Sequence, residues 1–212
     1  MPHPFAFIAV KPGLYVNPIS IVSMGTFALP AGTTPDVQQE MVAGVEVITP
    51  EGHFRISGVP TAQKALDAVL EGLKKAGLKL LQFKDINGFS QLYVNPAHLV
   101  AITAYPGQNG LDGQTEAYLM GQRLGPDLDT NVMAQVQAQL KAGGDFVQLP
   151  LADHGHRQNG TVLVRRTAVL SLEAAHHPGE TILGLARCVP LWHGLHVSQP
   201  LAEVVKAFSN QA

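Results

Sequence analysis

The chain has 212 residues, room for one large core or for two to three small ones that would have to support each other, since modules near 70 residues are only marginally stable alone. Hydrophobic residues make up 46% and charged residues only 14%, against about 25% charged in ordinary domains, which leaves little surface for simple solvation and points to self-association or a partner interface. The net charge of -2 argues against a protein whose main task is to cover nucleic-acid phosphates, and the single cysteine, Cys188, excludes an intramolecular disulfide and an all-cysteine metal site and favours the cytoplasm.

Taken in chain order, Met1-Pro2-His3-Pro4 followed by Phe5 to Val10 lacks the basic start and long apolar run of a signal peptide and predicts a first strand. No apolar run anywhere reaches the length of about 18 residues that a spanning helix needs, so no membrane partner is expected. Next comes Leu14-Tyr15-Val16-Asn17-Pro18-Ile19-Ser20-Ile21-Val22-Ser23-Met24, in which Asn-Pro marks a turn: the Asn side chain bonds its own downstream backbone and Pro fixes φ. A long Pro- and Gly-rich connection over 29–44 leads to strands at Val45–Ile48 and Phe54–Ile56, joined around Gly52. A helix is predicted from Pro60-Thr61, with Ala65, Leu66, Val69, Leu70 and Leu73 in one stripe and Gly77 as its stop.

The order then repeats. After a strand at Leu80–Phe83, Leu92-Tyr93-Val94-Asn95-Pro96-Ala97-His98-Leu99-Val100-Ala101-Ile102 carries the pentapeptide LYVNP again, with its apolar positions matched. A glycine-rich connection over 104–115, strands at Ala117–Met120 and Arg123-Leu124, and a helix from Asp127 with Val132, Met133, Val136 and Leu140 follow, up to Gly143-Gly144. A third copy begins with a strand at Phe146–Leu151. Its motif, Val162-Leu163-Val164-Arg165-Arg166-Thr167-Ala168-Val169-Leu170-Ser171-Leu172, has Arg-Arg in place of Asn-Pro. Strands at Thr181–Ala186 and Leu195–Val197, with Gly194 at their turn, precede a helix from Ser198-Gln199-Pro200 with Leu201, Val204, Val205 and Phe208 on one side.

Self-similarity at this period predicts an α+β chain of three tandem diverged modules, 1–76, 77–143 and 144–212, each about four short antiparallel strands closed by a C-terminal helix. Packing of the three as one body in a pseudo-threefold ring and packing in a linear row are both consistent with the repeat. Closure would remove exposed sheet edges.

The strand-turn-strand pattern around Tyr15-Val16-Asn17-Pro18 and Tyr93-Val94-Asn95-Pro96 resembles the small FlbD-type flagellar protein family and, more distantly, strands of LytTR-type DNA-binding domains. The resemblance covers the first two modules. It implies a small strand-rich partner-binding unit in place of an enzyme, and Arg165-Arg166 of the third module departs from it.

Two clusters in the third module carry chemistry. His154, His156, His193 and His196 have His-x-His and His-x-x-His spacings that suit two imidazoles on one metal; the alternative is an exposed histidine-rich loop. Arg157, Arg165, Arg166 and Arg187 offer guanidinium donors to an anion or phosphate; the alternative is a solvated edge strand on which cations discourage unwanted pairing. No nucleophile elbow, phosphate loop, dinucleotide fingerprint or zinc-protease helix occurs. The expectation is therefore a non-enzymatic binding or assembly protein without a cofactor, its partner another protein or a further copy of itself. A nucleic-acid binder using the arginines and a metal-dependent enzyme centred on the histidines are the alternatives.

Overall fold

The computed structural model describes residues 7–11, 13–30, 41–50, 52–57, 61–75, 77–84, 91–107, 113–120, 122–124, 136, 138, 140, 144–153, 155, 157–186 and 194–209. These form an α+β chain with fifteen short strands, all pairing antiparallel. No described helix is long and apolar enough to cross a membrane. The chain divides into two compact units, Met1–Ala97 and His98–Ala212.

In the first unit, β1 (Ile8–Lys11) and β2 (Leu14–Val16) form a hairpin turning at Gly13. The Asn-Pro signal then acts as expected. The Asn17 side-chain oxygen accepts the Ile19 N–H at 3.1 Å, and Pro18 opens a one-turn 3₁₀ segment over Pro18–Ser20. This turn sends the chain out of the hairpin and into another sheet. There β3 (Ser23–Pro30), β4 (Met41–Thr49) and β5 (Gly52–Ser57) are joined by β6 (Leu81–Lys84) and β7 (Gln91–Val94) in the order β5-β4-β3-β7-β6. Residues 31–40 of the first long connection lie outside the described residues.

Helix α1 (Thr61–Lys75) packs on β1, β4 and β5. Its predicted stripe is the buried face: Ala65, Leu66, Val69 and Leu73 join Val16, Ile21, Met24, Val45, Val47 and Ile56 in one cluster, with Leu70 partly buried against it. Gly77 ends the helix at φ +74°, donating to the Lys74 carbonyl while Leu78 donates to the Leu73 carbonyl. A residue with a Cβ resists that left-handed geometry, which is why glycine stands there.

The second unit holds a five-stranded sheet of corresponding strand order. Strands β8 (Leu99–Tyr105), β9 (Gln114–Leu119), β10 (Gln122–Leu124), β11 (Phe146–Pro150) and β12 (Thr161–Arg165) form a sheet in the order β10-β9-β8-β12-β11. Val136, Ala138 and Leu140 are helical; the predicted start of that helix at Asp127 lies outside the described residues. The sheet is buried on both faces, with Ile102, Ala117, Leu119 and Leu163 on one side. On the other, Ala101, Tyr118, Val162 and Val164 share a core with Leu183, Leu195, Val197 and Val204. A second 3₁₀ turn, Arg166–Ala168, leads into a three-stranded sheet of β13 (Val169–Ala174), β14 (Thr181–Leu185) and β15 (Leu195–Val197). Helix α2 (Leu201–Ser209) follows; Val204 is buried and Val205, expected on its apolar side, is exposed.

Two features differ from the sequence expectation. Each stretch between turn signals holds five strands where four were predicted, because the 3₁₀ turn breaks the Asn-Pro motif into two strands in different sheets. The five-stranded sheets also straddle the repeat boundaries near 76 and 143: the hairpin opening one repeat (β6-β7, β11-β12) pairs onto the strands of the repeat before it (β3, β8). Both seams use one register. Ser23, Met24 and Gly25 face Val94, Tyr93 and Leu92; Ala101, Ile102 and Thr103 face Val164, Leu163 and Val162. These are the same motif positions in each case.

Candidate functional site

Of the arginines expected to meet an anion, Arg157 lies ahead of β12, Arg165 on it and Arg166 in the turn after it. Arg165 closes β12, where the other motif copies have asparagine. Its Nε donates to the Leu99 carbonyl at 2.8 Å, an Nη lies 3.5 Å from Asp145, and its guanidinium stacks 4.7 Å over the Phe146 ring. Burial lowers its pKa from the ordinary arginine value, and the Asp145 carboxylate opposes that shift. Arg166 turns to the end of α2, where Nη1 donates to the carbonyls of Ala207 and Phe208 at 3.0 and 2.6 Å and Nε to Gly144 at 3.3 Å. A cation there satisfies helix-end carbonyls and suits the negative end of the helix dipole. Of the four candidates, Arg157, Arg165 and Arg166 are thus directed to three different internal partners; Arg187 lies outside the described residues.

Arg157 belongs to an arrangement that sequence reasoning missed. Glu116 on β9 is buried in the sheet. The Tyr118 hydroxyl donates to its Oε2 at 2.6 Å and Arg157 Nη2 to its Oε1 at 3.3 Å, while the Arg157 guanidinium lies 5.4 Å from the centre of the Tyr105 ring. Burial raises the Tyr105 pKa above its ordinary value, with the Arg157 charge opposing. A Cβ at Gly160 would come within 2.5 Å of that ring, so glycine makes room for it. Both oxygens of the buried carboxylate are engaged, as burial of a charge demands. Alternation along β9 offered an ambiguous signal: Glu116 follows the polar Thr115 and precedes the apolar Ala117 and Tyr118, so only pairing with β8 showed that it faces inward.

Of the histidines proposed as metal ligands, His154, His156 and His193 lie outside the described residues. His196 is on β15 with Nδ1 3.7 Å from Glu180 Oε2. Among the described residues no three His, Cys, Asp or Glu side chains converge as a metal cage.

A further candidate surface is a sheet edge. In the first seam Asn95 is fully buried: its N–H donates to the Val22 carbonyl at 3.0 Å, its Nδ2 to Ile21 at 3.1 Å and Ile19 at 3.4 Å, and its Oδ1 accepts the Ala97 N–H. Arg165 takes the same place in the second seam, bonding Leu99 where Asn95 bonds Ile21. The side-chain donor that clasps the neighbouring strand is therefore kept although asparagine is not. At the third position of this kind, β13 pairs only with β14 among the described residues, and β2 only with β1. Leu170 on β13 is 73% exposed, whereas its motif counterparts Val22 and Val100 are 1% and 0% exposed. Tyr15 on β2 is 63% exposed, against 1% for its counterpart Leu163.

No family model, curated protein or solved structure matches the chain.

Proposed function

We propose that the chain is a non-enzymatic binding or assembly protein, built on three diverged copies of one β-rich module, that adds an extended strand of its partner to the open edge of β13. The observation that carries this reading is Leu170: a large apolar side chain held out to solvent on an edge strand, at a position that the two other motif copies bury completely. Edge strands offer rows of unpaired N–H and C=O groups and recruit strands readily. Val169–Ala174 holds neither proline nor lysine; its guards are the single charge of Glu173 and the irregular register between Val169 and Ser171. The low charge content of 14% agrees with a surface meant to be covered. The FlbD-type resemblance, a small partner-binding unit, supports the same reading.

The arginines support a structural role better than a phosphate site, because Arg157, Arg165 and Arg166 each hold a carboxylate or carbonyl inside the fold. The test is native mass spectrometry of gently purified protein, wild type beside Leu170→Lys. The expected result is a bound polypeptide on the wild type that the variant has lost. A bare chain in both samples, or a reproducible turnover abolished by changing a few polar side chains, would overturn the reading.

A further inference from the structure

We infer that the strand received by β13 is β2 of a second copy of this chain, paired head to tail in the register that the two internal seams already use; this rests on the binding reading above and names its partner. The donating strands β2 and β7 are identical in sequence over three residues. Strand β7, which fills the first seam, pairs through Leu92, Tyr93 and Val94; β2 is Leu14, Tyr15 and Val16, the same three residues followed by the same Asn-Pro. Whatever fits β7 to an open β3 edge fits β2 to an equivalent edge. The receiving side matches as well, since Ser171-Leu172-Glu173 stands at the motif positions of Ser23-Met24-Gly25 and of Ala101-Ile102-Thr103.

Each copy therefore carries both halves of a third seam, one donating and one accepting; among the described residues β2 pairs only with β1 and β13 only with β14, and Tyr15 and Leu170 stand exposed on them. Transferring the register of the two internal seams pairs Val16 with Ser171, Tyr15 with Leu172 and Leu14 with Glu173. The Asn17 N–H would donate to the Leu170 carbonyl as Asn95 does to Val22, and the Asn17 side-chain amide to Val169 as Asn95 does to Ile21. Leu170 and Tyr15 would then be covered as their counterparts are. A contact between different surfaces of identical copies is heterologous, and it propagates until rotation closes it or a filament grows.

The third predicted pair is the most useful for trapping. Asn95 and Val22 share a ladder bond, so by alternation Gly25 and Leu92 form a non-hydrogen-bonded pair. There Cα atoms lie about 4.5 Å apart, within disulfide reach. The experiment mixes two full-length chains, both with Cys188→Ser, one carrying Leu14→Cys and the other Glu173→Cys, under mild oxidation. A covalent dimer in the mixture, at least tenfold above either variant alone and lost when Glu173→Cys is replaced by Leu172→Cys, is expected. Light scattering of the wild type across a dilution series, in which mass should fall toward that of one chain, guards against a misfolded cysteine variant. A mixture without dimer and a mass of one chain at every concentration would overturn the second copy as partner. Partner loss on Leu170→Lys would still uphold the binding reading in that event. A disulfide formed instead within a single chain carrying both cysteines would overturn both.

Discussion

Asn95 and Arg165 stand at matching places in two strand seams and both bond a carbonyl of the neighbouring strand, whereas the side chain of Asn17 makes the local bond to Ile19. The turn role of asparagine was legible in the sequence, because Asn-Pro is a local signal and local bonds follow from it: Oδ1 to the N–H two residues on, seen at both Asn17 and Asn95. Its second role, the amide reaching over to Ile21, was not legible, since it depends on pairing across 74 residues of chain. The difference is measurable. Asn95→Ala leaves buried carbonyls without a donor and is expected to cost about 1–3 kcal/mol in urea unfolding, whereas Asn17→Ala in the dilute chain loses the bond to Ile19 and should cost less by about 1 kcal/mol. Equal costs would contradict the assignment.

The same scale governs Glu116, whose burial sequence alternation alone left undecided. Arg157→Ala strips one of its partners and is expected to destabilise by about 1.5–3 kcal/mol, the range for hydrogen bonds to charged groups, because Arg157 itself is partly exposed. Tyr105 gives the pH dependence. Its pKa is raised in the fold, chiefly by burial, so the unfolded chain ionises first. Stability is full below the ordinary tyrosine pKa of about 10 and is lost as pH rises through the folded value. Alkaline unfolding followed in wild type and Tyr105→Phe should show a shallower loss in the variant; parallel curves would contradict this.

Among the elements, the stripe of the first helix was readable because period 3.6 survives averaging: Ala65, Leu66, Val69 and Leu73 are all buried as predicted. Strand partners were not, since an apolar run such as Leu99–Ile102 reveals burial on both faces without saying which strand lies beside it. The repeat suggested that each hairpin stays with its own helix. In the structure β6-β7 and β11-β12 lend a strand to the preceding sheet, and among the described residues β2 pairs only with β1 and β13 only with β14. Position 170 therefore behaves unlike position 100. Leu170→Lys should change the stability of the dilute chain by no more than about 0.5 kcal/mol, as exposed sites usually do, while Val100→Lys, placing a charge in the core, should prevent folding. Thermal unfolding of the two variants checks this, and a strongly destabilised Leu170→Lys chain would mean that β13 is not an open edge.

Across the whole molecule one backbone row recurs. Two seams are filled within the chain by the strand reading Leu-Tyr-Val or its relative Val-Leu-Val, while β13 pairs only with β14 among the described residues, the edge proposed above to take a partner strand. Scarce charge in the composition carries no position; the exposure of Leu170 and Tyr15 does. The direct measurement is amide hydrogen exchange at Leu172, whose counterparts Met24 and Ile102 lie inside five-stranded sheets. Fast exchange at Leu172 in the dilute chain, slowing toward the rates of Met24 and Ile102 as copies assemble, is the result the account predicts. Exchange already slow in the dilute single chain, or equally fast at every concentration and with every co-purifying partner, would contradict it.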